Sequence, residues 1–81
     1  MATKKRKVNA AQKRLLKRIE RVARNAAVEM MRGDAHRTRV AERKLEKLMH
    51  EAESESVSEA ANEREAHGRQ RAAGLYHKVR R

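Results

Sequence analysis

Seventeen large apolar side chains are all that this chain offers a core: six Val, five Leu, four Met, one Ile and one Tyr, with neither Phe nor Trp, among 81 residues. A chain of this length buries only a modest share of its surface, so its architecture must be one that small side chains fill. Fourteen Ala supply most of the remaining apolar area, and Ala is the strongest helix former. Pro is absent, and Gly33, Gly68 and Gly74 are the only glycines. These features predict an all-α fold: a helical hairpin of two main helices, a weaker third helix and a flexible basic N-terminal arm.

Charge is the second constraint. Lys and Arg number 22 against 11 Asp and Glu, a net +11, while Leu, Ile and Val together supply only 12 residues. That balance lies in the range where full order is expected to need a partner. Residues 1–24 carry ten basic side chains and one acidic one, whereas residues 51–68 carry six acidic and one basic. Two basic ends therefore flank an acidic waist. Without Cys there is no disulfide framework, thiolate zinc site or cysteine nucleophile. No apolar run approaches the ~18 residues of a membrane span, and the N-terminus lacks the apolar stretch of a secretory signal. The expected setting is intracellular, in the cytoplasm or inside an assembled particle.

The chain divides into a basic arm (1–8), a helical hairpin (9–53), and an acidic linker with the third helix and a basic tail (54–81). Asn9 is suited to cap a first helix over 10–32, where Leu15, Ile19, Val22 and Ala26 recur at 4, 3, 4 spacing. Gly33 is a stop signal, and Asp34 caps a second helix over 35–53. A two-residue connection makes the pair antiparallel neighbours, with Leu15, Ile19 and Val22 packing on Leu45, Leu48 and Met49. On the second helix Arg39 with Glu42, Arg43 with Glu46 and Lys47 with Glu51 stand against the like-charge i,i+4 pairs Arg39–Arg43, Glu42–Glu46 and Arg43–Lys47, so electrostatic support is mixed and packing must carry it. Ser56 and Glu59 fit a capping box that opens a third helix over about 57–73, weakened by Gly68 in its interior. In the tail, Ala72, Leu75, Tyr76 and Val79 share a helical face, as a short helix or a hook.

Catalytic and metal-binding patterns are missing. His36, His50, His67 and His77 are 14, 17 and 10 residues apart, so no two form the i,i+3 or i,i+4 pair that chelates from one helix face. No metal or other cofactor is expected. Glu51, Glu53 and Glu55 have no apolar neighbours to raise a carboxyl pKa, and there is no Gly-rich phosphate loop, so the chain reads as non-enzymatic. Arg32-Gly33-Asp34, an integrin-recognised tripeptide in extracellular ligands, is explained by helix punctuation. Lys4-Lys5-Arg6-Lys7-Val8 resembles the monopartite nuclear import signal of a polyomavirus large T antigen over five residues. That resemblance implies nuclear import, while the same run serves equally as a polyanion-binding arm.

What remains is cationic density, and 14 of the 22 basic residues are Arg, whose planar fork grips phosphate oxygens bidentately. The expected phosphate contacts are Lys4, Lys5, Arg6 and Lys7 in the arm, and Lys13, Arg14, Lys17, Arg18, Arg21 and Arg24 on the first helix. With no Phe or Trp to stack bases, readout of sequence is not expected. The sequence thus predicts a structural component of a nucleoprotein assembly, such as a virion interior or a ribosome-like particle. Its partners would be DNA or RNA backbone and neighbouring protein subunits, with no membrane. The alternative is a helical adaptor or inhibitor that docks on an acidic protein or forms a coiled-coil-like oligomer.

Overall fold

A computed structural model describes the backbone of residues 8–80 and the side chains as far as Gly74. Lys4, Lys5, Arg6 and Lys7, and the side chains of Leu75, Tyr76, His77 and Val79, lie outside the described residues. Three helices follow one another: α1 (Ala10–Arg32), α2 (Ala35–Ser54) and α3 (Ser58–Arg80). No strand occurs among the described residues.

The start of α1 is fixed by a reciprocal cap. Asn9 Oδ1 accepts from the Gln12 N–H at 2.8 Å, and Gln12 Oε1 accepts from the Asn9 N–H at 3.0 Å, satisfying two donors that a helix start leaves orphaned. Gln12 Nε2 also donates to the Glu55 carbonyl at 3.0 Å, tying the start of α1 to the end of α2. Gly33 ends α1 at φ 80°, with the Asp34 N–H on Glu29 O and the Gly33 N–H on Met30 O, the paired bonds of a Schellman turn. Asp34 then caps α2 by accepting from the Arg37 N–H at 2.9 Å.

The second connection repeats this geometry without glycine. Val57 N–H donates to Ala52 O and Ser56 N–H to Glu53 O, with Ser56 at φ 62°. Ser56 therefore closes α2, and α3 begins two residues later at Ser58, one residue past the start expected from sequence. Val57 and Ala52, joined across this turn, are both buried, the apolar contact that accompanies such turns. The third helix also runs past residue 73, the end expected from sequence, and the tail continues it to Arg80.

The core is a cluster of Leu15, Leu16, Ile19 and Ala23 from α1, Leu45, Leu48 and Ala52 from α2, and Val57 and Ala61 at the start of α3. Val8, Val22, Met49 and Ala60 pack against it half-buried. The four hairpin residues Leu15, Ile19, Leu45 and Leu48 are thus buried, Ile19 completely, while Val22 and Met49 lie at the edge of the core. α1 is the middle helix: it packs along both α2 and α3, whereas those two meet only briefly. Glu20 and Arg64, and Ala23 and Gly68, are 44 and 45 residues apart, a steady register that makes α3 run parallel to α1. The α1–α3 seam is built from small residues, with Ala23, Ala61, Gly68 and Ala72 all buried. Such residues let two helix backbones approach closely, so Ala and Gly do here what a richer chain would do with Leu.

Candidate nucleic-acid interface

Once the apolar rows of α1 are turned inward, its cations are left outward. Lys13, Arg14, Lys17, Arg18 and Arg21 are exposed and Arg24 is half-buried. From Lys13 to Arg24 the helix advances about 17 Å, so six positive charges occupy a length comparable with about five phosphates of one nucleic-acid strand. Among the described residues, none of the six takes part in an ion pair.

The arginines of α3 behave differently. Glu20, the only acid between Ala10 and Val28, points from the flank of α1 toward α3. It receives Arg64 Nη1 at 2.9 Å, His67 Nδ1 at 3.3 Å and Arg71 Nη1 at 3.4 Å. The hydrogen bond from Arg64 holds the Glu20 carboxyl below the usual carboxylate range, against a partial desolvation that pushes it up, with the His67 contact adding to the depression. On the other flank, Arg69 reaches α2, with Nη1 and Nη2 on the two oxygens of Glu42 at 3.3 and 3.2 Å and Nη2 on Glu65 at 3.1 Å. Glu42 first, and then Glu65, keep the Arg69 guanidinium more firmly charged than usual despite its partial burial.

This pairing ties α2 to α3 in place of contacts within α2. Glu42 is engaged by Arg69 instead of Arg39, and Arg43–Glu46 and Lys47–Glu51 form no ion pair among the described residues. It also exposes what reading the sequence missed. Arg64, His67 and Arg71 recur at 3 and 4 spacing, one face of a helix, and Glu20 is an isolated acid in a basic helix. Each half of that signal was visible, but only the 44-residue register joins them.

Between α1 and α3 lies a shallow groove lined by Lys17, Glu20, Arg21, Arg24 and Arg64. A second groove, between α1 and α2, has Val22, Val40 and Ala41 in its floor, and Val40 is 44% exposed. His36 and His50 are exposed on α2 and do not approach one another as ligands; the described residues contain no group of three or more His, Asp or Glu placed to hold a metal. No described helix is long and apolar enough to cross a membrane. Comparison with protein-family models, curated proteins and solved structures finds no match for this chain.

Proposed function

We propose that this chain is a structural, non-enzymatic component of a nucleoprotein assembly, which contacts nucleic-acid phosphates without reading sequence. The observation that carries this reading is the outer face of α1: Lys13, Arg14, Lys17, Arg18, Arg21 and Arg24 lie on one helix with no acid paired to them among the described residues. Arg64, Arg69 and Arg71 on α3 differ in that each already has an acid partner in the fold, Glu20, Glu42 or Glu65. Charges held close together with no internal partner repel one another, and a dense line of anions relieves that repulsion while releasing condensed counterions. Phosphate contacts of this kind set position and affinity and carry no base information.

Reversing Arg14, Arg18 and Arg21 together to Glu tests the reading. All three are exposed, so the helices are expected to survive while binding to duplex DNA or RNA at moderate salt is lost. Unchanged affinity would defeat the proposal.

A second reading, docking on an acidic protein, draws support from the α1–α2 groove with its exposed Val40. The two separate on Val40→Ser, which weakens a complex seated on apolar area and leaves a phosphate complex unchanged. A complex that survives nuclease and high salt would favour the second reading, since apolar docking is poorly screened.

A further inference from the structure

We infer that the primary phosphate seat is the groove between α1 and α3 around Glu20, where Arg64 and Arg71 complete a two-walled site for a nucleic-acid phosphodiester. The inference rests on the phosphate-binding reading above and assigns residues that the basic face of α1 does not include.

Three observations converge. First, the groove is concave and lined by four cations, Lys17, Arg21, Arg24 and Arg64, around one carboxylate. The groove is therefore net positive, and a concave surface of one net sign focuses its field more strongly than the convex outer arc carrying Arg14 and Arg18. Second, an anion already sits there: the Glu20 carboxylate draws in Arg64, His67 and Arg71 from a single face of α3. The arrangement is one in which donors from α3 converge on oxyanion oxygen, the chemistry a phosphodiester presents. Third, the side chains of Arg64, His67 and Arg71 remain 47%, 56% and 55% exposed. A guanidinium has five donors in a fixed fork, and Glu20 uses a single Nη1 of each arginine at the groove, so the outer edges stay open to a second anion.

Glu20 then has two opposed effects. It pre-orders the α3 side chains, which lowers the entropy lost when a phosphate arrives, and it repels that phosphate. Lys17, Arg21, Arg24, Arg64 and Arg71 against Glu20 leave four net positive charges at the site.

Fluorescence anisotropy of a 20-base-pair duplex with the full chain, across a salt series, tests this. Arg64→Ala and Arg71→Ala are each expected to weaken binding and to make the log–log salt slope shallower by about 0.9, one phosphate contact apiece. Lys47→Ala, on the exposed side of α2, is expected to leave the slope unchanged. Glu20→Gln is expected to tighten binding by about three- to tenfold through removal of an adjacent like charge. The same charge change at Glu63, exposed on α3 away from Ala61 and Gly68, is expected to do so by less than about twofold after screening. Circular dichroism accompanies each variant; should Arg64→Ala lose helix, Arg64→Gln removes the charge and retains a donor for Glu20.

Arg64 and Arg71 variants that bind like the wild type, while the triple reversal on α1 abolishes binding, would overturn this inference and leave the broader reading standing. Wild-type affinity for poly-glutamate equal to that for the duplex, or no binding to either, would overturn both.

Discussion

Gly68 rests against the backbone carbonyl of Glu20. A Cβ at Gly68 would overlap that oxygen and would stand 3.1 Å from Ala23 Cβ and 3.2 Å from Arg24 N. The oxygen belongs to helix backbone and cannot swing aside, so the absence of a side chain at position 68 sets how closely α1 and α3 approach. The same approach brings Arg64 and Arg71, one turn to either side of Gly68, onto the Glu20 carboxylate.

Two alanine substitutions in one helix should therefore differ in sign. Gly68→Ala gains about 1 kcal/mol of helix propensity but must force the helices apart, at a typical overpacking cost of 1–3 kcal/mol. With rigid backbone on the receiving side, a net loss of roughly 1–2 kcal/mol is expected. Among the described residues nothing lies within 4 Å of a Cβ at Gly74, so Gly74→Ala should stabilise by about 0.5–1 kcal/mol. Urea denaturation midpoints of the two variants measure both. Equal effects would show that the seam is looser than described.

The two turns make a second pair. Gly33 and Ser56 both hold positive φ, 80° and 62°, a region that costs a side-chain-bearing residue about 1 kcal/mol. Gly33→Ala should therefore lower stability by about 1 kcal/mol. Thermal unfolding followed at 222 nm reads the shift.

Gln12 does two jobs that separate by substitution. Its Oε1 caps α1 and its Nε2 holds the Glu55 carbonyl. Gln12→Ala should cost about 1 kcal/mol. Gln12→Glu keeps the acceptor for Asn9 but has no donor for Glu55, and should lose the tie between α1 and the α2–α3 turn. Faster amide exchange at Val57 than in the wild type, with exchange at Lys13 unaltered, would report it.

Acid should weaken the α1–α3 seam through Glu20. Its carboxyl is depressed in the folded chain, first by the hydrogen bond from Arg64, so its contribution is present above the ordinary carboxylate range and is lost as pH falls through and below about 4.3. The urea midpoint of the wild type should drop between about pH 5 and 3 more steeply than that of Glu20→Gln, which has no proton to take up. Parallel curves for the two would remove Glu20 from the account.

Much of the fold was legible in sequence. The 4, 3, 4 spacing of Leu15, Ile19, Val22 and Ala26, with Asn9 and Gly33 at its ends, marks α1 as Ala10–Arg32, because caps and apolar period agree there. The third helix is longer than its sequence pattern predicts, for a physical reason. Its buried face consists of Ala61, Gly68 and Ala72, and a stripe of small residues has little apolar contrast, so Gly68 reads as a breaker until α1 is seen against it. The basic face of α1 was legible as charge density. Which arginines serve the fold was not, since Glu20 meets Arg64 and Glu42 meets Arg69 across 44 and 27 residues, and local spacing holds no trace of either.

The salt dependence of binding to two unrelated duplex DNA sequences and one duplex RNA, with the intact chain, probes the central claim most directly. With the six α1 cations and Arg64 and Arg71 engaged, log affinity should fall linearly with log salt at a slope of about −7 for either DNA sequence, with comparable affinity for both. A flat profile, no binding in dilute buffer, or a strong preference for one DNA sequence would contradict the claim.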